Sequence, residues 1–216
     1  MKHGSIHLMG SLVVAALVLG LLASGGQASL AAGSTLYVDA DAAGANDGSS
    51  WEDAFSDLQA ALDIAVSGDQ IWVAAGTYIP TWKSDPLDPR TATFQLENGV
   101  AIYGGFDPLT GDLAWEDRDW STNLTILSGD LNGDDGPDFA NYTENCYHVF
   151  FHPEELSLDS SAILDGFTIS GGNANSGALP HYYGAGMYNA TGSPTLTNVV
   201  FTSHNASSMG GAIYNF

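Results

Sequence analysis

One segment of the chain carries apolar residues at the spacing of an α-helix. Between positions 51 and 66 they recur at intervals of three and four residues, which places them on one helical face. Ser50 is suited to cap this helix, Asp53 completes a capping box, and Gly68 follows the end. The pattern predicts one amphipathic helix that covers the end of a sheet. Its apolar face consists of Trp51, Ala54, Phe55, Leu58, Ala61, Leu62, Ala65 and Val66.

Short β-prone runs replace the helical pattern outside this segment. One run precedes the helix at 34–39, and the others follow it, separated by turn residues such as Gly76 and Gly129. Because no long helical pattern lies between the runs, an alternating β-α-β arrangement is excluded. A sandwich, a barrel or a solenoid remains. The later runs cover 70–75, 93–96, 100–103, 124–127, 147–151 and 162–164.

An internal repeat favours the solenoid. Residues 164–174 align without gaps on residues 196–206, at an offset of 32 positions, and residues 184–189 align on 210–215, at an offset of 26. The difference is extra loop in the first copy. A period in this range, built from short strands and Gly/Asn turns, is typical of stacked coils, in which equivalent apolar residues point inward and equivalent Asn residues form hydrogen-bonded ladders.

The repeat also resembles a known group of proteins. The run Gly210-Gly-Ala-Ile213, with Phe201 and Asn205 upstream, is similar to the GGA[ILV] and FxxN repeats of polymorphic outer-membrane proteins, although three residues rather than two separate Phe201 from Asn205. Residues 36–130 resemble the start of secreted bacterial β-helix-repeat proteins with pectin-lyase-like folds. The motifs are Tyr37-Val-Asp39, Asn46-Asp-Gly-Ser-Ser-Trp51, Ile71-Trp-Val-Ala-Ala-Gly-Thr-Tyr78, Tyr103-Gly-Gly-Phe106, Arg118-Asp-Trp120 and Leu127-Ser-Gly-Asp130.

The resemblance implies an all-β solenoid, a right-handed parallel β-helix with one N-terminal capping α-helix. We therefore expect a signal peptide over 1–32, an N-terminal strand and capping helix over 33–69, and β-helix coils over 70–216 that continue beyond this chain. The first segment has a basic residue at Lys2, an apolar run over 8–22, and small residues before cleavage positions at Ala28 or Ala31. The protein is expected to be secreted or held at the cell surface.

Charge and cysteine content exclude several classes of function. The 216 residues hold 25 acidic and 4 basic side chains, a formal net charge of −21. No basic surface is available to neutralise phosphates, so binding of nucleic acid or of anionic lipid is not expected. Cys146 is the single cysteine, which excludes an internal disulfide, and we interpret it as a small buried apolar residue.

The acidic segment 130–138 is the strongest candidate for a metal site. Asp130, Asn132, Asp134 and Asp138 supply the carboxylate and amide oxygens that calcium prefers. The segment departs from the EF-hand pattern, because Asn141 stands where a bidentate Glu is required. A solvated acidic turn is the alternative interpretation. A weaker group consists of Asp39, Asp41, Asn46 and Asp47.

Other candidate residues give weaker signals. His148 and His152 share one face of a straight strand and, with Glu154 or Glu155, form a candidate transition-metal site; surface histidines are the alternative. Tyr182 and Tyr183 are candidates for contact with sugars. No catalytic pair is assigned: Asp165, Asp130 and Asp107 follow or start strands without a spacing that joins two of them, and we interpret Arg118 as part of a structural ion pair.

Two functions agree with these features. The first is a non-enzymatic adhesin or passenger-like display scaffold, with glycans or molecules of host or neighbouring cells as partners. The alternative is a secreted polysaccharide lyase or glycoside hydrolase, which the fold resemblance alone suggests. We assign no catalytic residues and, calcium apart, no cofactor.

The leader segment gives a first testable prediction. When the full chain is produced in an export-competent bacterial host, N-terminal sequencing of the exported protein should place the new terminus after Ala28 or Ala31. Leu17→Asp, which puts a charge into the apolar run, should leave the protein uncleaved inside the cell. A full-length N-terminus on exported wild-type protein would contradict the prediction.

Overall fold

The chain forms mostly short β-strands in parallel sheets, with very little helix. This computed structural model describes Met1 and residues 33–216; apart from Met1, the predicted signal peptide lies outside the described residues. Among them, no helix is both long and apolar enough to cross a membrane. Short 3-10 turns at Pro89–Thr91, Trp115–Asp117, Pro137–Phe139 and Glu154–Leu156 interrupt the connections.

The described chain contains fourteen strands and one α-helix. Their order is β1 (Thr35–Val38), α1 (Leu58–Leu62), β2 (Gln70–Ala74), β3 (Gly76–Tyr78), β4 (Ala101–Phe106), β5 (Thr125–Ser128), β6 (Phe150–His152), β7 (Ile163–Asp165), β8 (Thr168–Ser170), β9 (Asn173–Ala174), β10 (Met187–Asn189), β11 (Thr195–Thr197), β12 (Val200–Thr202), β13 (Asn205–Ala206) and β14 (Ile213–Asn215).

The strands assemble into four sheets, and neighbours within each sheet run parallel. The orders are β1-β2-β4-β7-β11, β3-β5-β8-β12, β6-β10-β14 and β9-β13. From β2 onward, consecutive strands along the chain belong to different sheets, and each strand pairs with a strand that lies one pass of the chain earlier or later. The strand at 34–39 joins the same sheet as the strands that follow the helix.

Equivalent residues of successive strands face one another, as the repeat predicts. Leu164 pairs with Leu196 in the first sheet, and Ile169 pairs with Phe201 in the second. The pairing continues through each sheet, so the core contains three columns of buried and half-buried apolar residues. These columns are Leu36–Ile71–Ile102–Leu164–Leu196, Tyr78–Leu127–Ile169–Phe201 and Phe150–Met187–Ile213.

Asparagine side chains extend the same stacking to polar positions. Asn205 Nδ2 donates to Asn173 Oδ1 at 2.9 Å, and Asn189 Nδ2 donates to Asn215 Oδ1 at 2.7 Å. Both pairs join residues that the repeat aligns, and both pairs belong to strands that are paired in register. The predicted asparagine ladder is therefore present at two places.

The helix prediction was wrong in extent. α1 covers only Leu58–Leu62, and its N-cap is Asp57, whose side chain accepts from Gln59 N. Ser50 Oγ does accept from Asp53 N, but this bond closes a turn rather than opening a helix. The backbone before α1 is engaged elsewhere: Phe55 N donates to Tyr37 O of β1, and the Glu52 and Asp53 carbonyls accept from the loop at 44–48. Tertiary hydrogen bonds thus replaced the helical ones.

One predicted strand was wrong, and one strand was not predicted. Residues 93–96 form no strand and make a single bridge between Phe94 and Phe150. β3, Gly76–Tyr78, was not predicted because Gly76 marks a turn by composition, whereas here it begins a strand that pairs with β5. The predicted turn at Gly166 is required sterically: its φ of 85° is left-handed, and an added Cβ would overlap the Arg118 guanidinium.

The apolar columns predict which leucines stabilise the fold. Leu164 is fully buried between Ile102 and Leu196, so Leu164→Ala should lower the free energy of unfolding by about 2–5 kcal/mol. Leu109→Ala, at a position 83% exposed, should change it by less than about 0.5 kcal/mol. Urea unfolding followed by tryptophan fluorescence measures both. Equal effects of the two variants would contradict the columns as the source of stability.

Candidate functional site

The acidic segment forms the start of the long connection between β5 and β6. Asp130 organises it: Oδ1 accepts from the backbone N–H groups of Asn132, Gly133 and Asp134, and Oδ2 accepts from Asp135 N. Further along, Asn141 Nδ2 donates to Asp134 O at 2.8 Å. The connection is closed at its base, where Cys146 N donates to Gly129 O. The loop is therefore fixed by its own backbone hydrogen bonds.

The structure brings three carboxylates of this connection together. One oxygen each from Asp130, Asp134 and Glu144 lies within 4.8 Å of the other two. Asp130 and Asp134 belong to the predicted calcium set, but Asp138 is not in this group. Asn132 contributes its backbone N–H to Asp130. Glu144 was missed because it lies ten residues beyond Asp134, outside any local ligand spacing.

Oxygens around this group are buried without hydrogen-bond donors. Within the described residues, Asp135 Oδ1, Glu144 Oε1 and Asn145 Oδ1 have no hydrogen-bond partner. Burial raises the pKa of Asp135, and the charges of Asp130, Glu144 and Asp134 add to this effect. A hydrogen bond from Asn145 acts in the opposite direction and lowers the pKa. Buried acceptors normally find donors, so three orphans in one place are unusual. They mark the region as a candidate cation site.

The weaker acidic group does not form a comparable cluster. Asp39 Oδ1 accepts from Asp41 N, and Asp47 Oδ1 accepts from Ser49 N, so both carboxylates close local turns. Asn46 Oδ1 accepts from Ser56 N and thereby holds the loop against the segment before α1. Among the described residues, only the group at Asp130, Asp134 and Glu144 meets the geometry for a bound ion.

His148 and His152 are buried in the fold rather than placed on its surface. His152 Nε2 accepts from Leu96 N at 3.0 Å, so its Nδ1 carries the proton and donates to Asn189 Oδ1. His148 Nδ1 donates to Gly184 O, which leaves Nε2 to accept from His181 Nδ1 at 3.0 Å. All four ring nitrogens are engaged, so neither imidazole is free to bind a metal.

The imidazole of His204 also accepts one hydrogen bond and donates one. His204 Nδ1 accepts from Gly172 N, and its Nε2 donates to Ile169 O. Burial lowers the pKa of His148 to about 3 and the pKa values of His152 and His204 to about 4. Protonation would also break the bond that each ring accepts. The fold therefore holds three neutral histidines.

The two arginines link carbonyls of neighbouring passes of the chain. Arg118 Nη2 donates to Asp165 Oδ1 at 2.9 Å and to Asp165 O, while its Nε donates to Gly104 O. The expected ion pair is thus formed with a residue 47 positions away, not with the flanking acids. Arg90 donates to Asn145 O and Asn173 O and lies 4.2 Å from the centre of the Tyr147 ring. Asp165 and both arginines are structural.

Cys146 is fully buried, and burial raises the pKa of its thiol to about 12. Loss of hydration disfavours the thiolate, which is the nucleophilic form. The interpretation of Cys146 as a small apolar residue is therefore confirmed.

A column of aromatic rings lies on the outer side of the β6-β10-β14 sheet. Phe151, Tyr188 and Tyr214 occupy equivalent positions, and their ring centres are 5.3 and 5.7 Å apart. Tyr183, one of the two predicted contact tyrosines, stacks on Tyr214 at 4.5 Å. Phe216 lies beside the column and is 68% exposed. The repeat already aligns Tyr188 with Tyr214 at an offset of 26, but Phe151, 37 positions before Tyr188, lies outside the aligned segments, so the sequence did not reveal the column.

The column forms one wall of an open cleft. Phe151, Tyr188 and Phe216 line it, together with the exposed carboxylates Glu154 and Glu155. An apolar wall beside a few polar groups is the usual composition of a small-molecule or sugar subsite. Comparison of the chain with family models, curated proteins and solved structures finds no match in any of the three.

The neutral histidines predict a pH dependence of stability. Their folded-state pKa values lie below the unfolded value of about 6.5, so the unfolded chain takes up protons first as the pH falls. Stability should be complete above pH 6.5 and should fall towards pH 4. At pH 5, each histidine should lower the free energy of unfolding by about 2 kcal/mol, because pH 5 lies about 1.5 units below the unfolded-state pKa.

Urea unfolding of wild type and His152→Gln between pH 7 and 4.5 tests this. The free energy of unfolding of the variant should depend less steeply on pH, by the equivalent of about one proton, because one titrating group is removed. Identical slopes, or a wild-type stability that does not fall in this range, would contradict the prediction. Hydrogen bonds lower the pKa values of the carboxylates of Asp47, Asp119 and Asp159, so in the folded protein these groups titrate below the pH range of this experiment.

Proposed function

We propose that this chain is an exported, non-enzymatic repeat scaffold that binds an extracellular glycan in the cleft beside its aromatic column. The proposed architecture is a right-handed parallel β-helix, with α1 near its N-terminal end. In-register pairing across the four sheets supports the architecture, and contact between α1 and β1 supports the place of the helix. The observation that carries the function is the cleft lined by Phe151, Tyr188 and Phe216.

The chemistry of the cleft favours a sugar over an apolar ligand. Aromatic rings pack against the C–H faces of sugars, and the carboxylates of Glu154 and Glu155 are free to accept hydroxyl hydrogen bonds. The chain carries a net charge of −21, so its field repels anionic polymers. A neutral or amino-containing glycan is therefore the proposed ligand, rather than pectate or alginate.

The non-enzymatic proposal is preferred over a lyase or hydrolase. A lyase-type site requires a basic group to remove a proton and stabilise the resulting charge. Two of the three basic side chains after the leader segment, Arg90 and Arg118, donate to backbone carbonyls and hold the passes of the chain together. This use of the arginines supports a scaffold.

A polysaccharide-binding assay tests the proposal with a matched pair of variants. Phe216→Ser should weaken binding of a neutral or amino-containing polysaccharide by the exported chain about tenfold, because an exposed contact is lost. Phe139→Ser removes another exposed ring, 52% exposed against 68% for Phe216, from the connection between β5 and β6 and should leave binding unchanged. Affinity electrophoresis measures both variants.

The wild-type chain should release no reducing ends or unsaturated products from the bound polymer. Equal binding by the two variants, or binding to none of the neutral and amino-containing polymers, would contradict the proposed cleft. Release of such products would instead support the enzymatic alternative.

A further inference from the structure

We propose that Asp130, Asp134 and Glu144 bind one calcium ion, which ties the connection between β5 and β6 to the sheets beneath it. The proposal differs from the sequence-based set, since Glu144 replaces Asp138 as a ligand. It does not depend on the glycan cleft, which is built from other residues.

The geometry of the three carboxylates suits calcium. Calcium takes oxygen ligands at 2.3–2.6 Å, so two ligand oxygens on opposite sides of the ion lie about 5 Å apart. One oxygen each from Asp130, Asp134 and Glu144 already lies within 4.8 Å of the others. An ion placed among them reaches all three with little movement of the chain.

Asp130 contributes a ligand whose position is set in advance. Its Oδ1 accepts three backbone N–H groups and its Oδ2 accepts one, so Oδ2 keeps a lone pair for an ion. These bonds hold the Asp130 side chain and the backbone of 132–135 in one arrangement. Because the loop is already ordered, binding of an ion costs less conformational entropy.

The buried oxygens without donors provide the independent observation. Glu144 Oε1 and Asp135 Oδ1 belong to carboxylates and have no donor among the described residues. Asn145 is fully buried with its Oδ1 unpartnered, and exchanging its amide atoms does not help, because Nδ2 donates to both Asp135 Oδ2 and Gly171 O. A bound cation would supply the missing partner of Glu144 Oε1.

No basic side chain takes the place of that cation. Within residues 33–216, the ion pair of Arg118 with Asp165 is the one found between a basic and an acidic side chain, and it lies outside this connection. Asp130, Asp134, Asp135 and Glu144 therefore lie close to one another, and among residues 33–216 none of them forms an ion pair with a basic side chain. A divalent ion relieves the mutual repulsion of these carboxylates.

The ion would connect the loop to the stacked strands. Asn145 follows Glu144, and its side chain donates to Gly171 O, in the turn between β8 and β9. Its backbone carbonyl accepts from Arg90 Nε, whose guanidinium also reaches Asn173 O of β9. Ordering Glu144 therefore secures a contact between two passes of the chain, so calcium should stabilise the whole fold.

Thermal unfolding of the purified chain with calcium or with chelator, at fixed ionic strength, measures this effect. At a hundredfold excess of calcium over Kd, the midpoint should rise by about 5–10 °C for a protein of this size. Magnesium, which requires shorter bonds and retains its water, should raise the midpoint much less. No shift, or an equal shift with both ions, would overturn the proposal.

Two variants that each remove one negative charge separate ligation from general charge screening. Glu144→Gln should weaken calcium binding by at least tenfold, measured by titration calorimetry. Asp138→Asn lies in the same connection but outside the ligand group, and Asn tolerates the left-handed φ of 56° at this position. Its calcium affinity should stay within about twofold of wild type; equal losses in the two variants would overturn the assignment.

Asp134→Asn provides a second ligand variant if Glu144→Gln does not fold. Asp134 is exposed, so its substitution should preserve the fold while weakening calcium binding tenfold or more. Terbium gives an independent readout, because Tyr142 lies in the same connection, two residues before Glu144. Excitation of tyrosine should produce terbium emission that calcium displaces in wild type and that Asp134→Asn abolishes. Unchanged emission in Asp134→Asn would overturn the assignment.

Discussion

In-register parallel pairing between equivalent strands is the constraint on which the rest of the structure depends. When Leu164 pairs with Leu196 and Ile102, each residue packs against the residue that occupies its own position in the neighbouring strand. A position that is apolar in one strand must then be apolar in the next, or the column has a gap. The columns need no long strand or helix, because burial is gained between passes of the chain rather than within one.

The same constraint decides how polar groups enter the interior. A buried polar side chain must find a partner on an equivalent residue or on a neighbouring backbone. Asn173 and Asn205 hydrogen-bond to each other, which is possible because a carboxamide both donates and accepts. An imidazole solves it only when neutral, with one nitrogen donating and one accepting, as His152 does between Leu96 N and Asn189 Oδ1. We therefore expect acid pH to oppose this arrangement, because a protonated ring cannot accept a hydrogen bond.

Sequence reasoning succeeded where the signal repeats and failed where partners are distant. The alignment of 164–174 on 196–206 was sufficient to predict which residues pair, since a stacked repeat leaves little choice of register. The helix over 51–66 was predicted from periodicity, but Tyr37 and the 44–48 loop took the hydrogen bonds of its first turns. Asp130 and Asp134 were found by local spacing, whereas Glu144 and the partner of Arg118 come from remote segments.

The fixed interior leaves both candidate sites to the connections and to the outward-facing side chains of the strands. The columns accept only side chains that match their neighbours, whereas the connection between β5 and β6 lies outside the apolar columns and carries Asp130, Asp134 and Glu144. The cleft is bounded likewise by the turn after β6 and by the segment before β10, which is longer by six residues than its counterpart before β14. Net charge then acts on both sites in opposite ways. A charge of −21 raises the local concentration of cations near the connection and disfavours anionic polymers at the cleft, so one property of the whole chain selects the proposed ligands of both.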